Sequence, residues 1–194
     1  MKYRSCQHTV RRVMAVVKST EVKLPMGWVA PDTAIENAAD VFIGYLLLDT
    51  LVSNQDRHHE NWGLVTLSNE VHLAPTFDHA SSLGRNETDE KRLNRLNTKD
   101  TGNNVESYVN RAKSALYENP TSQSPLTTLD AYREAAKIRP KSGRYWLETL
   151  KNIRHSNIIA IFNEIPDGKI TEIGIEFAVR MIEANISRML DTGT

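Results

Sequence analysis

Only one cysteine, Cys6, occurs among the 194 residues, so no disulfide can close within the chain and a reducing compartment is expected. Nothing around Cys6 is organised to generate a thiolate, which argues against a cysteine nucleophile. No sign of charge predominates either: 24 basic and 24 acidic side chains cancel. A globally charged surface that gathers nucleic acid, anionic membrane or acidic substrate is therefore excluded, and any charged ligand must be held locally. The longest apolar run, Val41 to Leu48, falls far short of the roughly 20 residues that span a bilayer. The N-terminal stretch is basic but has no continuous apolar core of the signal-peptide kind. The expectation is one soluble, cytoplasmic domain over residues 1–194, with no membrane partner and no direct nucleic-acid binding.

What is present is mostly helical periodicity. Val10, Val13, Met14 and Val17 predict a helix over 7–19. Asp32 is a candidate N-cap for a second helix carrying Ile35, Ala39, Phe42, Ile43, Leu46, Leu47 and Leu51. Two short apolar runs, Trp62 to Leu67 and Val71 to Pro75, flank Ser68-Asn69-Glu70 and predict a β-hairpin. Residues 84–104 are charged and poor in large apolar side chains, which predicts a long polar loop or a short exposed helix. Further helices are predicted over 105–117, over 125–138 with Ser124 as cap, around Trp146 to Ile153, over 158–162, and from Thr171 to Leu190. The fold class is thus mainly α with a small β-hairpin.

Between the second helix and the hairpin lies S-N-Q-D-R-H-H-E-N-W-G, residues 53–63, dense in polar chemistry. Asp56 and Asn61 stand five positions apart, and Asp78 follows the hairpin. Phosphoryl transfer needs a carboxylate to orient or accept from the attacking hydroxyl, and oxygen ligands to hold Mg²⁺ against the nucleotide phosphates. A helix, a loop Asp-x-x-x-x-Asn, a hairpin and then an Asp supply those groups in that order. Four histidines, His58, His59, His72 and His79, offer a rival transition-metal chemistry. Neighbouring His58 and His59 diverge on most backbones, however, and no H-E-x-x-H spacing is present.

This loop, followed by L-A-P-T-F-D-H-A-S-S-L-G, resembles the C-terminal catalytic domain of HipA-like kinases, the serine/threonine kinase toxins of toxin-antitoxin modules. The resemblance runs from about residue 35 to 84. It implies a protein kinase-like C-lobe, with Asp56 as catalytic base, Asn61 and Asp78 as Mg²⁺ ligands toward ATP, and a protein hydroxyl as acceptor. His58 and Arg57 are expected to orient Asp56 or contact phosphate, or else to fix the loop to the surrounding helices, and Gly63 to give a tight passage into the hairpin. Phe77-Asp78-His79 departs from Asp-Phe-Gly at its third residue. The Asp-Arg-His-x-x-Asn core is also similar to phosphatidylinositol-type lipid kinases, for which Arg85, Lys91, Arg92 and Arg95 are the available basic residues.

Upstream of Asp56 the sequence holds only Gly27 and Gly44, too far apart for a phosphate-cradling loop, and no strand pattern that would carry a phosphate-binding lysine. The expectation is a C-lobe lacking its N-terminal lobe, whose partner is an N-lobe or an antitoxin-like protein. A non-catalytic pseudokinase that binds such a partner is the alternative of another class.

Overall fold

The computed structural model describes residues 5–191. Its elements in order are α1 (Val10–Val17), β1 (Val22–Lys23), α2 (Ala38–Leu51), β2 (Leu64–Leu67), β3 (Glu70–Leu73), α3 (Asp89–Asn97), α4 (Val105–Asn110), α5 (Thr128–Ile138), α6 (Pro140–Thr149), α7 (His155–Asn163) and α8 (Glu172–Asp191). A 3-10 turn over Leu150–Asn152 extends α6. The mainly α class with a small β element holds.

Helix α2 is the axis of the molecule because its sequence, AADVFIGYLLLDTL, is apolar nearly all round. Phe42, Ile43, Leu46 and Leu47 are buried, each contributing about 1.5–3 kcal/mol. Helices α1, α5, α6 and α8 pack around α2. Gly44 admits α6 closely: a Cβ there would lie 2.7 Å from the Trp146 ring. The helix begins later than Asp32 suggested. Asn37 is the N-cap and forms a reciprocal box with Asp40, whereas the Asp32 carboxylate accepts from the Ala34 N–H at 2.7 Å in a turn before it. Burial alone would raise Asp40, but the Arg139 guanidinium, bonded to both its oxygens at 2.8 Å, holds its carboxyl below the ordinary range.

The hairpin is closed by Ser68 and Asn69, both in the left-handed region at φ 49° and 65°, as a two-residue turn requires. It belongs to a three-stranded sheet, order β1-β3-β2, in which β1 runs parallel to β3 with Val22 opposite Val71. The sequence pattern did not reveal this third strand, because a two-residue strand has no periodicity to detect. It does carry a lysine, Lys23, which corrects the expectation that no upstream strand could. Lys23 is ion-paired with Glu70, at the turn end of the hairpin, away from the segment that leads to Asp78.

Two further expectations give way to tertiary contacts. The helix over 105–117 stops at Asn110, since the Tyr117 N–H donates to the His8 carbonyl at 2.9 Å and Ser114 and Leu116 bond to Leu126. The following helix starts at Thr128, capped by Thr127, not at Pro125. Within 84–104 the exposed-helix alternative is the one found, as α3, capped by Thr88. Gly84 brings the chain there at φ +63°, its α-carbon against the Phe177 ring.

Candidate active site

Loop 53–63 leaves the end of α2 through Ser53, at φ 52°. The Asn185 amide of α8 donates to the Leu51 carbonyl and the Ser53 hydroxyl, both at 2.9 Å, and so pins the exit. Asn54 then turns the chain by donating from its amide to Asp49 Oδ1 at 2.8 Å, while its amide oxygen accepts from the Asp56 N–H at 3.2 Å. The loop is therefore anchored before its first reactive residue.

At its centre is Arg57, 1% exposed. Its Nε and Nη2 donate to the two oxygens of buried Asp49 at 2.8 and 2.7 Å. Nη1 donates to the Asn61 carbonyl at 2.7 Å and reaches the Phe77 carbonyl at 3.4 Å, and Nη2 donates to Thr76 Oγ1 at 2.9 Å. One buried guanidinium thus ties the helix, the loop and the strand exit before Asp78. Of the roles expected for Arg57, fixing the loop is the one its contacts fit. Asp49 and Thr76 were not singled out from sequence. Asp49 had a signal nonetheless: a lone carboxylate in the run LLLDTL must be paired if that face is buried.

Asn61 is 4% exposed, and its Nδ2 donates to the Asp56 carbonyl at 2.7 Å. Because only the amide nitrogen can donate there, the side-chain orientation is fixed. The Asn61 Oδ1 has no hydrogen-bond partner among the described residues. The Asp56 carboxylate is about half exposed, with the Ser81 hydroxyl 3.5 Å from Oδ2 and His58 Nε2 3.7 Å from Oδ1. His58 itself is buried, and its Nδ1 accepts from the Glu60 N–H at 3.1 Å. His59 and Glu60 are exposed. Gly63 has neither a positive φ nor a neighbour that a Cβ would touch, so the expected tight passage is not found there.

Asp78 follows at φ 53°, a left-handed conformation that Asp tolerates better than most residues. Its carboxylate is exposed and makes no hydrogen bond among the described residues. The loop and this segment are brought together through Arg57 and through Ser81, not by contact of Asp78 with Asp56 or Asn61. His79 hydrogen-bonds Thr76 Oγ1 at 3.0 Å, and burial lowers its pKa. His72 bonds the Leu24 carbonyl at 2.9 Å. The histidines therefore serve separate elements, and no group of three or more His, Cys, Asp or Glu able to hold a metal occurs among the described residues.

Trp62 fastens the loop to the segment just before α1. Its Nε1–H donates to His8 Nε2 at 3.1 Å, so neutral His8 carries its proton on Nδ1, which faces the Ala115 carbonyl at 3.3 Å. Burial of the ring pushes the His8 pKa down to about 4, against an unfolded value near 6.5. Between those values the unfolded chain binds a proton that the folded chain refuses, so stability present above about pH 6.5 is lost as pH falls toward about 4. The expected loss is about 3 kcal/mol. Urea unfolding at about pH 7.5 and about pH 4.5 measures it, and His8→Gln should flatten that dependence; an equal slope in the variant would refute the assignment.

No protein-family model matches the sequence, and no curated protein matches it. Among solved structures, the chain is similar to a Helicobacter pylori proinflammatory kinase, CtkA, with a TM-score of 0.59 and 23% identity. The match covers 81% of this chain and 55% of that one, so the chain spans about half the length of that kinase. At this identity the likeness concerns the backbone arrangement. With the helix, anchored loop, hairpin and following Asp in the order already described, the chain has a kinase-like α+β fold.

Proposed function

We propose that this chain is the catalytic lobe of an ATP- and Mg²⁺-dependent phosphotransferase of the HipA-like serine/threonine type, acting on a protein hydroxyl. The observation that carries the reading is the Asn61 amide nitrogen bonded to the Asp56 carbonyl. That bond fixes Asn61 against the loop backbone and leaves its oxygen without a hydrogen-bond partner among the described residues, five residues from a half-exposed carboxylate. The Asp78 carboxylate is likewise exposed and without a hydrogen-bond partner among the described residues. Unpartnered, hard oxygens suit Mg²⁺, so the donor set fits: Asn61 and Asp78 would hold the ion, which supplies neutralisation of the nucleotide's phosphate charge. Asp56 orients the acceptor hydroxyl and takes its proton as the new phosphorus–oxygen bond forms and ADP leaves. His58 and Ser81 flank the two Asp56 oxygens and steady the carboxylate.

A nucleotide-cradling lobe, in the same polypeptide or a partner, completes the site, and an antitoxin-like partner fits the HipA-like reading. Apolar side chains left uncovered near the Asp78 segment, Phe77 at 42% and Met26 at 52% exposed, the latter lining a groove with Pro75 and Thr76, support such a cover. The lipid-kinase reading is weaker, because Arg92 is paired with Asp89 and Arg95 with Glu87. No helix among the described residues is long and apolar enough to cross a membrane.

Calorimetric titration with a non-hydrolysable ATP analogue tests the proposal. Binding that requires Mg²⁺ is expected, and Asp78→Asn, which tolerates the left-handed backbone, should abolish it. Binding that is indifferent to Mg²⁺ or to Asp78→Asn would remove the metal assignment. Tight Mg²⁺-dependent binding in a chain whose cellular role survives Asp56→Asn would favour a pseudokinase.

A further inference from the structure

The outer edge of the hairpin is open. Strand β2 (Leu64–Leu67) borders the sheet, and all four of its residues are exposed. The two-residue turn and the bond from the Ala74 N–H to the Gly63 carbonyl, 2.9 Å, set the parity of the ladder. The Gly63 carbonyl accepts from Ala74, just past β3, and Val65 and Leu67 lie opposite His72 and Glu70 in the same parity, so the N–H and C=O groups of Leu64 and Thr66 point away from the sheet. Among the described residues, no hydrogen bond from outside the sheet reaches either backbone. Short as it is, the edge lacks a bulge, a proline and a charge: β2 pairs in unbroken register, and residues 61–69, NWGLVTLSN, contain neither proline nor charged side chain.

We propose that this edge pairs with the same edge of a second copy of the chain, antiparallel, about a two-fold axis through Val65. The outward amide and carbonyl groups specify a β-strand as occupant, since only a strand returns donors and acceptors at that alternation. A two-fold axis further requires the edge to suit itself. Only the residue on the axis faces its own copy, where a charge would meet its like; that residue is the uncharged Val65, and the rest of the strand carries no charge either. With formal net charge +0, long-range repulsion does not oppose the encounter. In this register Leu64 of each copy exchanges both backbone bonds with Thr66 of the other, and the two Val65 side chains meet as a close non-hydrogen-bonded pair on the exposed face. Gly63 lies opposite Leu67 of the second copy. Val65 is 40% exposed and Leu67 50%, apolar surface that the pairing covers on both sides.

The contact is small, so a dissociation constant on the order of 100 µM is expected. Sedimentation velocity of the chain at up to about 1 mM should show a monomer–dimer equilibrium. Thr66→Pro removes an outward N–H without touching the β2–β3 ladder, and should weaken association roughly tenfold or more. Val65→Lys and Val65→Glu, at an exposed position that keeps the fold, should each be monomeric, and an equimolar mixture of the two should dimerise again. A wild-type chain that is monomeric at the highest concentration overturns the proposal. So does a dimer indifferent to Thr66→Pro, or a Lys and Glu mixture no more associated than either variant alone.

Discussion

Arg57→Ala is expected to lower unfolding stability by about 3–5 kcal/mol, a large part of the total for a domain of this size. The reason is an asymmetry of buried pairs. Arg57 and Asp49 have side chains 1% and 5% exposed, so removing the guanidinium leaves a carboxylate in the interior with only the Asn54 amide and the more distant His79 facing it. The same substitution strips partners from the Asn61 and Phe77 carbonyls and from Thr76. Arg57→Lys should recover little, because a single ammonium cannot reproduce the fork that meets both Asp49 oxygens. The double replacement Arg57→Met with Asp49→Leu should recover most of the stability, since it removes both charges together. It should not recover Mg²⁺-dependent nucleotide binding, because the Asn61 and Phe77 carbonyls still lose their donor. Urea unfolding followed by circular dichroism measures the three stability effects, and a loss below about 1 kcal/mol for Arg57→Ala would show that the pair is not structural.

Asp56→Asn is expected to behave in the opposite manner. The carboxylate is about half exposed and holds no helix or strand in place, so folding should change by less than about 0.5 kcal/mol. Phosphoryl transfer, measured with labelled ATP in the presence of the nucleotide-cradling lobe, should fall by roughly 10²–10⁴-fold, the usual contribution of a positioned base. Mg²⁺-dependent nucleotide binding should stay within a few-fold of wild type, because the groups assigned to the metal are Asn61 and Asp78. Transfer at an undiminished rate would remove Asp56 from the role of base. Binding lost together with transfer would instead mean that Asp56 holds the nucleotide.

The same geometry explains why parts of this site were visible in the sequence. Asp56, Asn61 and the hairpin are neighbours along the chain, and their relation is set by a short loop whose spacing survives in any reading of the residues. Helices α1 and α8 were visible for a similar reason, since their burial repeats at the period of the backbone, whereas α2 showed as an apolar run too long for a strand. Asp49 lay in plain view as a charge in an apolar run, yet its partner could be any cation until the loop folded over it.

What the sequence determined by itself, then, is the mainly α class, the order of the helices and the hairpin, and the spacing that makes Asp56, Asn61 and Asp78 candidates for phosphotransfer chemistry. What only the tertiary structure decided is how they are held. The parallel pairing of β1 with β3, the termination of α4 by bonds from 114–117 to His8 and Leu126, and the Arg57 clamp from α2 to the Asp78 segment all join residues distant in sequence. Periodicity reports only local geometry. Which backbone groups and charges find each other across the core depends on how the helices pack, and that is a property of the whole chain.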